Sequence, residues 1–270
     1  MSQNIHHSIS AENTYLKGDV RGSVFPFVVE PFSEDYTGRL SWHFMGNHLL
    51  RCASLHAGQH GFGYDDMQKA HHAWVLSRLV IDLNEMPKTG DHYVIETWVN
   101  RIYRQFTDRL FAITNPNTGE AYGYAFSTWA LIDTTSRQPM DLTELPNGGF
   151  SDALIERDIP IAGAGRIRLK NTENAVRTRE AYYTDLDING HVNSIRYIEM
   201  MLDLFPAQQF KETPVRRIEV AYSAEAYAGD TLHFFQEPAT KGDATLVEIR
   251  KDEGRIPVVK AAITFEEKKA

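Results

Sequence analysis

The chain has a single cysteine, Cys52, among 270 residues. No internal disulfide can form, and no Cys-rich zinc site can be built. A reducing compartment fits that usage. No stretch approaches the run of about 20 apolar residues that a membrane helix needs. The first 19 residues are polar and lack the apolar h-region of a secretory signal. The simplest location is therefore the cytoplasm, with no membrane partner. An excess of positive charge is also missing: Lys plus Arg is 28, Asp plus Glu is 36, and the net charge is −8. That excludes a surface devoted to nucleic acid. No G-x-G-x-x-G, Walker-type or G-x-S-x-G motif is present, so nothing calls for a nucleotide cofactor or a serine nucleophile on an elbow. His56 and His60 stand at i, i+4 but have no obvious third ligand, and no metal or other cofactor is expected. What remains is ordinary globular material, 42% hydrophobic and 24% charged, enough for a sizeable core.

Two blocks carry the same order of elements. In the first, 25–29 is a short apolar strand. Trp42, Met45, Leu49 and Cys52 then fall on one face of a helix over 42–57. Ser41 is its N-cap, and Gly61-Phe62-Gly63 ends the element. Strands follow at 73–83, 94–99, 109–114 and 122–132, the last two joined through Asn115-Pro116-Asn117-Thr118-Gly119. In the second block 176–183 is a strand and 193–203 a helix, with Ile195, Ile198 and Leu202 on one face and Pro206 past its end. Strands at 217–223, 245–250 and 258–266 follow, the last two around Asp252-Glu253-Gly254. Gly90-Asp91 and Gly229-Asp230 mark the same turn in each half. An internal duplication of roughly 120 residues is too long for a solenoid. Runs of strands beside one segregated helix indicate α+β, and a helix wrapped by an antiparallel sheet, twice in one chain, is a double hotdog. The division expected is 1–144, a linker at 145–174 containing Gly148-Gly149 and the Ala162–Gly165 run, and 175–270.

The densest polar cluster is Asp185-Leu186-Asp187-Ile188-Asn189-Gly190-His191-Val192-Asn193, just ahead of the second helix. In an extended segment Asp187, Asn189 and His191 would point to one side. A carboxylate, a carboxamide and an imidazole would converge before a helix N-terminus, which suits acid–base chemistry and an oxyanion. The alternative is a polar loop with Asn193 as helix cap. Glu225, where the apolar strand ends, is either an exposed charge or a partner of His191. The first half has Asp35-Tyr36-Thr37-Gly38-Arg39-Leu40-Ser41-Trp42 at the matching place and lacks the cluster. Its helix, with Trp42, Phe44, Met45, Leu49 and Leu50, could line a tunnel or form ordinary core. Arg166, Arg168, Lys170, Arg177 and Arg179 fall within 14 residues against one acid, Glu173. They are either a solvated linker or a face for an acidic partner.

The cluster 185–193 with Tyr197-Ile198 and Glu225 resembles the acyl-acyl-carrier-protein thioesterases, the plant-type and bacterial double-hotdog family. Asn47-His48, Gly61-Phe62-Gly63, Met67 and Trp74-Val75-Leu76-Ser77-Arg78 add support. The resemblance covers about 25–266. It implies hydrolysis of the thioester between a fatty acyl chain and the phosphopantetheine arm of acyl carrier protein, with no cofactor. The family's catalytic residues would fall on Asp187, Asn189, His191 and Glu225, with backbone N–H groups of Val192 and Asn193 at the oxyanion. Either Glu225 or His191 could be the base. Plant members often carry a Cys after the downstream acid; Ala226 stands here, which favours attack by water. The N-terminal half would hold the acyl chain, through Trp42, Met45 and Leu49. Acyl carrier protein is acidic, so Arg166, Arg168, Lys170, Arg177 and Arg179 would be its docking face. An acyl-CoA thioesterase on the same fold and a non-catalytic acyl-binding protein are the competing expectations, and either a monomer or a homodimer is compatible.

Overall fold

The computed structural model describes residues 22–144, 153–240 and 242–267. Each half contributes five strands. The first gives β1 (Ser23–Val28), β2 (His72–Leu83), β3 (His92–Ile102), β4 (Phe106–Thr114) and β5 (Ala121–Asp133). The second gives β6 (Arg177–Glu180), β7 (Val215–Tyr222), β8 (Thr231–Pro238), β9 (Thr245–Lys251) and β10 (Ile256–Phe265). They form one ten-stranded sheet in the order β1-β3-β4-β5-β2-β7-β10-β9-β8-β6. Read inward from each edge, the orders 1-3-4-5-2 and 6-8-9-10-7 are the same path, so the duplication is built into the topology. The halves meet where β2 pairs antiparallel with β7, from Arg78↔Ala221 to Asp82↔Arg217.

The helices are α1 (Trp42–Gln59), α2 (Tyr64–Lys69), α3 (Ser194–Leu202) and α4 (Ala207–Glu212). Ser41 caps α1 by accepting from the Phe44 N–H, and Asn193 caps α3 by accepting from the Ile195 N–H. These caps satisfy donors that a helix leaves open at its start. The two long helices cross at Gly46, where a Cβ would lie 2.7 Å from Ile195 Cδ1. The missing side chain is what lets them approach. One apolar cluster, with Met45, Leu49, Ile195, Ile198, Phe111 and Phe234, runs through both halves. A second, smaller layer lies on the outer face. Trp98 and Leu110 pack there under Ile155 and Ile159, which follow β5 in the chain.

The double hotdog is thus confirmed, with local differences. Strand 176–183 shortens to β6, and a 3-10 turn, Tyr183–Asp185, follows it. β8 follows the Gly229-Asp230 turn as the duplication requires, but its bounds are not legible in the sequence, because adjacent buried Phe234 and Phe235 break the alternation. α2 and α4 bury no residue and so carry no apolar stripe. Of the linker, residues 145–152, with Gly148-Gly149, lie outside the described residues. The rest runs across the central strands: Gly165 N–H donates to Glu219, and Arg78 and Arg217 donate to the Gly165 and Ala162 carbonyls. Among the described residues, no helix is long and apolar enough to cross a membrane.

Candidate active site

The segment Asp187–Asn193 is not extended. Asp187 N–H donates to the His191 carbonyl and Gly190 N–H to the Asp187 carbonyl. Asp187 Oδ1 accepts from the backbone N–H groups of Asn189 and His191 at 2.8 and 3.2 Å. This is a tight turn, closed by pairing of Leu186 with Val192, and Gly190 takes the positive φ of 77° that it requires. The side-by-side alternation expected of an extended strand therefore does not occur. Asp187 shapes the turn through backbone bonds.

His191 Nδ1 lies 3.5 Å from Glu225 Oε1, and its ring stands edge-on to Tyr227 with centroids 5.1 Å apart. Glu225 also accepts from Arg137 Nη2 at 2.6 Å and from the Tyr227 hydroxyl at 2.9 Å. Partial burial pushes its carboxyl up. The Arg137 and Tyr227 hydrogen bonds and the nearby His191 outweigh that and hold it below the usual carboxylate range. Arg137 comes from the other half. It sits in a turn after β5 with φ 61°, its N–H bonded to the Asp133 carbonyl. Neither Arg137 nor Tyr227 was singled out from sequence; Arg137 carries no local motif, and its role comes from the β2–β7 junction.

Two oxyanion donors expected from sequence are unavailable. Val192 N–H donates to the Ala226 carbonyl and Asn193 N–H to the Asp185 carbonyl, each at 2.8 Å. These bonds clamp the turn to the Glu225 loop and to the preceding segment. The carboxamide of Asn189 makes no hydrogen bond among the described residues.

Asn189 is also a wall of a cavity of about 180 Å³. Its apolar lining comes from α1 (Leu50, Ala53, Ala57), from Phe62, and from strands β2 and β5 through Trp74 and Trp129. Trp42, Met45 and Leu49 do not line it. They occupy the neighbouring stripe of α1 and are sealed in the core, Met45 and Leu49 with no exposure. The face richest in large apolar residues packs the core; the smaller residues leave the space.

The first half repeats the turn without its chemistry. Asp35 Oδ1 accepts from Thr37 N–H, Gly38 has φ 77°, and Leu40 N–H donates to the Pro87 carbonyl. These bonds match those of Asp187, Gly190 and Val192. Thr37, Arg39 and Met86 then stand where Asn189, His191 and Glu225 stand. The space beside them shrinks to about 20 Å³, with Phe210 and Val215 among its walls.

Other candidates also resolve. Burial pushes the Cys52 thiol far up, which leaves it no thiolate for attack. His48 stacks on Phe27 at 4.3 Å and meets the Tyr93 hydroxyl at 2.6 Å; burial, with Arg51 and His43 adding, pushes it down to about 4. Arg166, Arg168, Lys170 and Arg177 are exposed. Arg179 is not a free docking cation, because it pairs with buried Asp185 at 2.5 Å. Arg196 binds the same carboxylate and Glu199, and His43 on α1 meets Glu199 at 3.0 Å. Those pairs tie the 185–193 turn to both long helices. The Lys170 backbone N–H binds Glu237, at the end of β8 away from Tyr227, while the residue itself is exposed.

Comparison with known proteins adds independent weight. The family model "acyl-ACP thioesterase N-terminal domain" matches residues 26–145, and "acyl-ACP thioesterase C-terminal domain" matches 169–267. An acyl-[acyl-carrier-protein] hydrolase of Cuphea viscosissima is 25% identical over 214 residues, covering 76% of this chain and 51% of the relative. A palmitoyl-acyl carrier protein thioesterase of Arabidopsis thaliana is 27% identical over 189 residues, 66% of this chain and 46% of the relative. The chain spans about half the length of these relatives. Among solved structures, an acyl-ACP thioesterase from Bacteroides thetaiotaomicron superposes with a TM-score of 0.85 at 42% identity, covering 91% of this chain and 98% of that one. A 12:0-ACP thioesterase from Umbellularia californica, at 20% identity, shares the fold with a TM-score of 0.81 over 93% and 98% of the two chains.

Proposed function

Because the chain belongs to the acyl-ACP thioesterase family, we propose that it hydrolyses fatty acyl thioesters of acyl carrier protein and releases the free fatty acid. The observation that carries this reading is the position of Asn189. One residue belongs both to the turn that presents His191 to Glu225 and to the wall of an apolar cavity. An acyl chain in the cavity brings its thioester to that turn.

In this reading Glu225 does not take the proton. Its carboxylate already accepts from Arg137 and Tyr227, and these donors favour the ionised form. It orients His191 by accepting from Nδ1–H, which leaves Nε2 as the acceptor. Nε2 removes a proton from water as the water oxygen attacks the thioester carbonyl carbon. The tetrahedral oxyanion receives a hydrogen bond from the Asn189 carboxamide. The C–S bond then breaks, and the proton on His191 passes to the departing sulfur. The products are the free acid and the carrier-protein thiol. Asp187 holds the turn, and no covalent enzyme intermediate forms.

The same reading divides the chain into an acyl-binding unit, 1–144, a linker, 145–174, and a catalytic unit, 175–270. Arg166, Arg168, Lys170 and Arg177 are the remaining candidates for contact with an acidic carrier protein, and a cytoplasmic location is part of this reading. Steady-state hydrolysis of one acyl chain carried on acyl carrier protein and on CoA tests it. A higher kcat/KM on the carrier-protein thioester is expected. Preference for CoA would favour an acyl-CoA thioesterase, and no thiol release from either would reduce the site to acyl binding.

A further inference from the structure

The cavity is not apolar throughout. Arg109, in the middle of β4, forms part of its wall and is 5% exposed. A guanidinium offers five N–H donors. Among the described residues, Arg109 makes one hydrogen bond, from Nη1 to the Thr97 hydroxyl at 3.3 Å. No described carboxylate forms an ion pair with it. The ionisable group beside it is the Cys52 thiol, which burial keeps neutral. Burial also pushes the guanidinium down to about 9.

An unpaired buried cation is costly, and the other buried charges among the described residues are met: Asp108 accepts from the Thr128 hydroxyl, and two more have ion-pair partners. Asp185 has Arg179 and Arg196; Glu248 has Arg250 and Lys260. Arg109 instead faces a space large enough for a ligand. Thr107 lies two residues away along β4, also lines the cavity and is itself buried. Residues at that spacing share a face of the strand, so its hydroxyl stands on the same wall.

The position is deep. His72 pairs with Asp133 at the outer end of β2 and β5, beside the turn from which Arg137 reaches Glu225. Arg109 pairs with Ser127. That is six residues along β5 from Asp133, or about 20 Å at ~3.3 Å per residue. A chain whose thioester sits at His191 would run inward toward Arg109.

We propose that Arg109, with Thr107, forms a polar subsite at the inner end of the cavity that receives an acceptor oxygen carried near the far end of the acyl chain. The substrate class is an oxygenated acyl thioester, with a hydroxyl, oxo or carboxylate group at that end. This rests on the reading that the cavity holds the acyl chain. A hydrocarbon terminus at the same depth covers the guanidinium without pairing it; an oxygen satisfies it.

Binding of fatty amides to the wild-type protein by calorimetry tests the inference without catalysis. Their neutral head offers Arg109 an amide oxygen but no carboxylate, so reversed binding cannot reproduce the gain from an ω-carboxylate. Unsubstituted, ω-hydroxy and ω-carboxy amides are compared over a series of lengths. At the length that first reaches Arg109, an oxygenated chain is expected to bind at least about tenfold tighter, as hydrogen bonds to charged groups allow. Arg109→Met should erase that preference and still bind the unsubstituted amide. Thr107→Val, a milder change, should reduce it, so the proposal stays testable where Arg109→Met does not fold. Equal binding of oxygenated and unsubstituted chains at every length would overturn the subsite alone. No binding by any amide would overturn the acyl cavity and the subsite with it.

Discussion

Glu225 has three polar neighbours, Arg137, Tyr227 and His191, and in the proposed reading it positions His191 rather than accepting the proton. Replacing Arg137 by Met removes the shortest of its hydrogen bonds. Burial would then act with less opposition, and the Glu225 carboxyl should rise. In the wild type the carboxylate stays ionised as pH falls below its ordinary range. In Arg137→Met it should protonate at higher pH, so the acid limb of the kcat/KM profile should move upward, with kcat down by about tenfold or more. An unshifted limb would separate Arg137 from the chemistry. Cys52→Ala, by contrast, should keep near-wild-type turnover, because the thiol is sealed in the core. An acyl group trapped on Cys52 during turnover would contradict this. At this scale the sequence marked Asp187, Asn189 and His191 as candidates, since polar residues crowd ahead of a helix, and the family resemblance added Glu225 at a strand end. It did not reveal their directions. Period-two reasoning applies to a strand, and Asp187 bends the segment by accepting from its own backbone. Separate bonds, to the Ala226 and Asp185 carbonyls, occupy the Val192 and Asn193 N–H groups.

Helix α1 was legible in extent and misread in face. Its strongest stripe, Trp42, Met45 and Leu49, is the one that packs, because the core takes the largest apolar surface. The adjoining face, with Leu50, Ala53 and Ala57, borders the cavity. Its spacing of i, i+3 and i+7 is helical too, but small residues signal space only when the opposite wall is known. Ala53→Leu or Ala57→Leu should therefore cut hydrolysis of long acyl chains more than short ones, with about 0.8 kcal/mol at stake for each methylene displaced. Met45→Leu should leave the ratio unchanged while altering thermal stability. Rates over acyl thioesters of graded length check this, and an equal loss at all lengths for the Ala53 and Ala57 variants would place the chain elsewhere. β8 could be counted but not bounded for a related reason: both faces at Phe234 and Phe235 are covered, which hides its period.

Across the whole molecule, duplication was the most readable feature. The matched Gly-Asp turns at Gly90 and Gly229, with φ 86° and 89°, repeat even their hydrogen bonds: Gly90 to Val29 and Gly229 to Ala181. Function then depends on how the copies diverged. One turn carries Asn189 and His191 opposite Glu225; the other carries Thr37 and Arg39 opposite Met86 over a nearly filled space. Docking belongs to the same scale. With a net charge of −8, encounter with an acidic carrier protein needs a local positive face. Reversing Arg166 and Arg168 to Glu should raise KM for the carrier-protein substrate, leave a small acyl thioester unaffected, and weaken the salt dependence that screening imposes within about 8–10 Å. Unchanged KM would move docking off the linker. The most direct measurement is thiol release from an acyl-carrier-protein thioester by the wild type, His191→Ala and Glu225→Gln, each checked for intact folding. Both variants are expected to lose at least about 10²-fold in kcat with little change in unfolding temperature. Near-wild-type turnover in both would contradict the assignment of the site.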